Sequence, residues 1–459
     1  MKRVFGGLLK ATKWLMNAVA GLALLVLASW FLIPDEDLRS EVVLILNAPP
    51  TVPPQQNAYY AMWGLKADPS LDPHVVGKQI IETLKQARAQ HRKISDADLQ
   101  KFWGAPQLKL DSADQDFCKT DMPECLPQIR AARARIESSE RRLDPYLKRY
   151  YALRDYPGFE EFPPGSLDAP ILEYSGLVAL SGLIDARIAL DMADQTKQKA
   201  ALENLAAELR LWRAFGRNAD SMITKMVVAK VLGRKLRLAS DLLTEAPEIA
   251  VKYPELLSGI TRPLVANEIN LDRALVDEFR LASGMLLSLE GEIDAVPYRV
   301  GNAFGKLITI GGFRSNATVN LQFMKNKELR GFYDRSAAEI VENESAFMAD
   351  WSRFSLLSPS IYFYNPIGKV LVYVSPPDYG TYVYRMHDLD AFSRLLELQR
   401  QLAVVQLSTD KVAAFVQQAD ASLRDPYTGK PMRWDAAART LSMQGHGKDG
   451  DKLSVRLSF

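Results

Sequence analysis

The uncharged apolar run from Trp14 to Ile33 constrains this chain more than any other feature. As a helix rising about 1.5 Å per residue, it matches a bilayer hydrocarbon core of about 30 Å. Lys2, Arg3, Lys10 and Lys13 precede the run, and Pro34-Asp35-Glu36-Asp37 closes it. The positive-inside rule then predicts a cytoplasmic N-terminus over 1–13, a transmembrane helix over 14–33 and an exported remainder. Trp14 and Trp30 stand near the two ends, where amphipathic rings favour the headgroup region. A competing reading is a cleaved signal peptide, with Val26 and Ala28 at −3 and −1 of the cut. Against it, the apolar run continues through Trp30-Phe31-Leu32-Ile33. Asn17, Gly21 and Ala28 share one face, either as a helix-pairing surface or as ordinary tolerated small residues.

The chain has 459 residues, of which 47% are hydrophobic, ample for one large domain or two ordinary ones. Its net charge of +2 is less than the four basic residues before the span supply, so the exported part is near neutral. That balance argues against nucleic acid as a partner. Cys118 and Cys125 are the only two cysteines. Outside the cytoplasm such a pair reads as a local disulfide worth about 2.5 kcal/mol in the chain-entropy model. The alternative, a metal site using Asp116, Asp121 or Glu124, lacks a nearby histidine and a zinc spacing.

Along the chain, residues 34–126 form a proline-rich stalk and an N-terminal segment that carries the cysteine pair. Val42 to Leu46 reads as a strand or as the end of the stalk. Asn57 to Leu65 (NAYYAMWGL) reads as a first helix of the folded region, followed by helices over Val75–His91 and Asp96–Trp103. A helical region over 127–424 follows. Ile129, Ile136, Leu143 and Leu147 give one apolar stripe. Leu177, Leu180, Ile184 and Ile188 give another, and Leu202, Leu205, Leu209 and Trp212 a third. Met222, Met226 and Val227 open a helix running to Leu243. Short breaks between long amphipathic helices make neighbours antiparallel. The expected fold is therefore mostly α: an irregular, solenoid-like array of antiparallel helix hairpins after one transmembrane helix. Pro263–Leu289 and Thr318–Met348 read as further long helices. Ser358 to Tyr384 differs in character, with Val370, Val372 and Val374 alternating, and reads as a loop or a short strand. Residues 425–459 form a tail with a small C-terminal β-hairpin from Thr440–Met443 and Lys452–Phe459.

Several segments together resemble a family of uncharacterised, single-pass membrane-anchored bacterial proteins. They are Asn57 to Leu65, Trp212-Arg213, Asn316-Ala317-Thr318-Val319-Asn320, Asn365-Pro366-Ile367-Gly368, and the tail from Asp425 to Trp434 with its Asp-Pro-Tyr-Thr-Gly-Lys-Pro segment. The resemblance implies a bacterial inner-membrane protein with its bulk in the periplasm. It brings no activity and no catalytic residue with it.

The chain contains no phosphate-binding loop, dinucleotide fingerprint, zinc-protease helix or nucleophile elbow. The four histidines, His74, His91, His387 and His446, are not at ligand spacing, so neither a metal site nor a cofactor is expected. His387-Asp388 has the form of a base oriented by a carboxylate, or of a helix-start pair. Glu160-Glu161 offers carboxylates for acid–base work, or simply decorates a turn. The basic run Arg130, Arg133, Arg135, Arg141, Arg142, Lys148 and Arg149 reads as a self-paired solvated face, because Glu137, Glu140 and Asp144 interleave with it. Tyr362, Tyr364, Tyr373, Tyr379, Tyr382 and Tyr384 either line a groove for a peptide or glycan or fill a seam between loop and helices. The leading expectation is a non-catalytic periplasmic scaffold, held in lipid by residues 14–33 and binding an envelope protein. The alternative is an enzyme acting on an envelope glycan or peptide through carboxylates near 361–388.

Overall fold

The computed structural model describes residues 2–90, 92–105, 107–111, 117, 125–162, 170–295, 312–351, 362–374, 379–447 and 452–458. The chain is mostly helical, with a small C-terminal antiparallel sheet. The helices are α1 (Lys2–Leu32), α2 (Ser40–Leu46), α3 (Ala58–Trp63), α4 (Pro73–Ala89), α5 (Asp96–Trp103), α6 (Cys125–Ala131) and α7 (Arg133–Ala152). Then come α8 (Ser175–Met192), α9 (Gln198–Asn218), α10 (Met222–Glu245), α11 (Ile249–Lys252), α12 (Pro254–Thr261), α13 (Ala266–Ile269) and α14 (Asp272–Ala295). The last are α15 (Ser315–Tyr333), α16 (Ala337–Trp351), α17 (Pro366–Val374), α18 (Gly380–Val405) and α19 (Thr409–Gln417). Strands β1 (Arg433–Asp435), β2 (Thr440–Gln444) and β3 (Lys452–Arg456) close the chain. They form two compact units. The first comprises 1–48, 279–329 and 343–378, and the second 49–278, 330–342 and 379–459.

In the first unit, the part of α1 from Thr12 to Leu32 is long and apolar enough to cross a membrane. Its exit is held by polar contacts. Trp30 Nε1 donates to Tyr362 O at 2.6 Å, and Tyr364 N donates to Ser29 Oγ at 3.2 Å. The Arg314 guanidinium reaches the free carbonyls at the end of α1, those of Trp30 and, at 3.2 Å, Ile33. Asp35 accepts from Asn316 N (2.8 Å) and Ala317 N (3.0 Å), occupying orphan donors at the start of α15. Arg39 N donates to Asn320 Oδ1 at 2.9 Å. Residues 42–46 are helical, not a strand. Val42, Ile45 and Leu46 recur at helical spacing and pack on Phe279, Val319 and Phe323. The Val370–Val374 alternation is also helical. Asn365 Oδ1 accepts from Gly368 N at 3.2 Å, and Pro366 stands at the first helical position, so a helix starts there before any strand can form. Ile367, Val370, Leu371 and Val374 then follow the 3.6-residue period. A Cβ on Gly368 would lie 1.9 Å from Thr318 Oγ1, so only glycine lets α17 approach α15 this closely.

In the second unit, α3 is buried along its whole length. Asn57 caps it, accepting from Tyr59 N at 3.0 Å. Gly77 on α4 lies so close to Tyr60 O that an added Cβ would be 1.7 Å from it. Helices α8, α9 and α10 are joined by short turns at 193–197 and 219–221; the first falls at the break expected at Asp194-Gln195-Thr196, and the second follows Gly216-Arg217-Asn218, expected as a break but still helical. Between them lies a buried charge network. Lys235 Nζ sits 2.6 Å from Asp185 Oδ1 and 2.7 Å from Glu208 Oε2. Arg154 and Arg234 complete the pairing of Glu208 and Asp185, each at 2.7 Å. Tyr150 OH donates to Glu208 Oε2 at 2.8 Å and accepts from Trp212 Nε1 at 2.7 Å. The expected long helix over Pro263–Leu289 breaks between α13 and α14. Asn270 Oδ1 accepts from Asp272 N there, the local bonding with which Asn and Asp interrupt helices. The Thr318–Met348 segment likewise divides at 334–336, where Ser336 opens α16 with its hydroxyl on Glu339.

The tail holds the expected hairpin, β2 with β3, and among the described residues one further strand, in the order β1-β2-β3 with Trp434↔Leu441 and Leu441↔Val455 in register. The extra strand is Arg433–Asp435, too short to show a period in sequence. Asp425 organises the preceding turn, its Oδ1 accepting from Tyr427 N and its main-chain O from Gly429 N, both at 2.8 Å, while Gly429 adopts φ 67°.

Candidate functional site

A groove of about 940 Å³ runs between α10 and α18 in the second unit. On α10, Ile223, Met226, Val227, Lys230, Gly233 and Arg237 share one helical face. The opposite face of the same helix, with Val228, Val231, Leu232 and Lys235, is buried. Across from it α18 presents Tyr382, Arg385, Leu389 and Phe392 at helical spacing, with Tyr379 at the helix start. Glu278 from α14 and Leu453 from β3 complete the rim.

The charges divide into used and unused groups. Arg234 is committed to Asp185. Asp388 accepts from Tyr427 OH (2.7 Å), His446 N (3.0 Å) and Gly447 N (2.7 Å), so it fastens the tail to α18. Burial and the Asp388 charge push the Tyr427 hydroxyl far above the ordinary tyrosine range, so it stays a donor. Lys230, Arg237 and Arg385 make no ion pair among the described residues. Arg237 stacks over Phe392 at 4.7 Å from the ring centroid, and Arg385 lies over Tyr382 at 5.9 Å. Burial lowers the Arg237 guanidinium and raises the Glu278 carboxyl towards its neutral form.

Of the six tyrosines, Tyr379 and Tyr382 line the groove, with ring centroids 6.5 Å apart. Tyr384 packs on Tyr427 and His446. Tyr362, Tyr364 and Tyr373 belong to the first unit. There Tyr362 and Tyr364 meet the end of α1, and Tyr373 takes Lys325 over its ring at 5.5 Å. Three of the six thus belong to each unit.

The other sequence candidates are tied into the fold. His387 is pushed down to about 4 by burial and by Arg394, and it stacks edge-on against Tyr427, 6.2 Å away. Its neighbour Asp388 does not orient it. Glu160 Oε2 accepts from Thr51 N (2.7 Å) and Val52 N (2.6 Å). Glu161 accepts from Asp220 N and Ser221 N, each at 2.8 Å, and from Thr224 Oγ1 at 2.6 Å, and so holds Ser221, whose hydroxyl caps α10 by accepting from Thr224 N. Burial raises the Glu161 carboxyl despite those bonds. In the basic run, Arg133 pairs with Glu137, Lys148 with Asp144, and Arg149 donates to the carbonyls of Ala67 and Asp68. Trp14 is exposed, as is much of α1. Cys118 lies outside the described residues, and Cys125 opens α6 in a buried position.

Lys230, Arg237, Arg385 and Phe392 carried no functional reading in the sequence. Their only signal is a helix with a second, partly apolar face opposite its buried one. Taken together, fold and groove define a helical protein with an apolar N-terminal helix and a concave, cation-edged surface. No family model matches the chain, and no curated protein or solved structure is significantly similar to it.

Proposed function

We propose that this chain is a single-pass scaffold of a bacterial inner membrane, with its N-terminus cytoplasmic and its bulk periplasmic, that holds another envelope component in the α10–α18 groove. The observation that carries this reading is the groove itself: an apolar surface at helical spacing, edged by Lys230, Arg237 and Arg385, which make no ion pair among the described residues. Catalysis asks for convergent ionisable groups, whereas Asp388, the carboxylate nearest His387 in sequence, is consumed by the tail. The Lys2–Lys13 charges before the span and the acids after it favour export of the remainder. In that compartment Cys118 and Cys125 are read as a disulfide.

A photoreactive residue at Ile223, whose side chain is 48% exposed in the groove wall, tests the reading in intact cells. The expected result is one dominant cross-linked envelope component. Capture of nothing overturns it, and turnover of cell-wall material by the purified full chain then favours the enzymatic alternative.

A further inference from the structure

We propose that the α10–α18 groove takes an anionic amphiphile, a lipid with an acyl body and a phosphate or carboxylate head. This names the ligand class of the scaffold's groove and rests on that reading. The argument begins with what the lining lacks. Among the described residues that form the groove there is no serine, threonine, asparagine or glutamine, and its neutral polar side chains are Tyr379 and Tyr382. The backbone of both walls is bonded within its own helices. A peptide or glycan laid here would bury its amides or hydroxyls against Ile223, Met226, Val227, Leu389 and Leu453 without partners, which is costly. An acyl chain has no such groups to lose. The two methionines at the α10 end, Met222 and Met226, add an adaptable surface suited to a flexible chain.

The head is identified by charge. Lys230, Arg237 and Arg385 edge the groove without ion-pair partners among the described residues. Arg237 lies 4.7 Å over the Phe392 ring and Arg385 5.9 Å over the Tyr382 ring, and Lys230 and Arg385 are exposed to meet head-group oxygens. The groups facing these cations are few. Asp388 is saturated by the tail, Glu278 is moved by burial towards its neutral form, and Asp241, itself raised by burial, offsets only part of the Arg237 charge. The local balance therefore favours an anion.

The test uses the full chain in detergent and a phosphatidylglycerol bearing a photoreactive acyl tail, with phosphatidylcholine carrying the same tail as control. Adducts are mapped by peptide mass, because α1 will also meet lipid. The expected result is labelling on α10 and α18 with the anionic lipid. That labelling should fall about tenfold with phosphatidylcholine, and about tenfold again in a Lys230→Glu/Arg385→Glu variant whose α1 labelling is unchanged. Both substituted residues are exposed, so the variant retains the fold. Labelling confined to α1, or groove labelling indifferent to head charge, overturns the proposal. If the Ile223 cross-linker then captures a protein, the scaffold reading stands while the lipid assignment falls. If it captures nothing, both fall.

Discussion

Lys235 has no exposed surface, yet its charge is held between two carboxylates. Burial raises the Glu208 carboxyl, and Lys235 and Arg154 more than reverse this, leaving it below the ordinary range. Lys235→Met would remove one cation and strand part of two buried charges. The expected cost is about 3–5 kcal/mol, read from urea unfolding of the second unit. Asp241 is the opposite case. Burial outweighs Arg237 and raises it to about 6, and its Oδ2 has no hydrogen-bond partner. A carboxyl raised on folding contributes stability below its unfolded pKa of about 3.9 and loses that contribution as pH rises through its folded value. Asp241→Asn should therefore gain on the wild type between about pH 4 and pH 6, by no more than about 3 kcal/mol. Paired unfolding curves across that window check it, and a constant difference would refute the assignment. None of this network was legible in the sequence. Asp185, Glu208 and Lys235 lie on three different helices, and only packing reveals that the three charges meet.

Among elements, α10 depends on a residue far away in the chain. Glu161 holds the Ser221 cap of this helix from a loop whose two acids read in sequence either as acid–base carboxylates or as decoration of a turn. Glu161→Ala should cost about 2–3 kcal/mol, and Glu161→Gln clearly less, since the carboxyl is already pushed towards its neutral form. Thermal unfolding of the two variants side by side distinguishes a cap from a bystander. The helices also separate two kinds of glycine. Gly77→Ala would drive a methyl into Tyr60 O and part α3 from α4, at about 3 kcal/mol or more. Gly259 in α12 has nothing within 4 Å of its would-be Cβ, so Gly259→Ala should stabilise by about 0.5–1 kcal/mol. Sequence periodicity found most long helices, because a one-sided apolar stripe is a local property. It failed at 366–374, where a β-branched run satisfies periods of both 2 and 3.6. There the Asn365 cap and the glycine contact with Thr318 decide the outcome.

For the whole molecule, the decisive question is whether α1 remains. Val26 and Ala28, the residues of the alternative cleavage site, are helical, and Ser29 Oγ donates to Val26 O at 2.7 Å while accepting from Tyr364 N. A peptidase that reads an extended segment would have to unwind that turn. The protein recovered from membranes should therefore resist alkaline extraction and have the intact mass of the full chain. A form beginning at Ser29 would contradict this. The membrane-crossing length of α1, the mostly helical class and the presence of a small sheet at the end could all be read from residue order, because each depends on neighbours within a few turns of the chain. The family-like segments Asn316–Asn320 and Asn365–Gly368 were visible only as words. The fold turned them into the clasp around the end of α1, through Asn316 on Asp35, Asn320 on Arg39 and Asn365 on Arg314. Tertiary structure alone assembled that clasp, the buried Lys235 network and the α10–α18 groove. Each is made of residues brought together by packing, and periodicity within one helix carries no information about which distant face will lie opposite it.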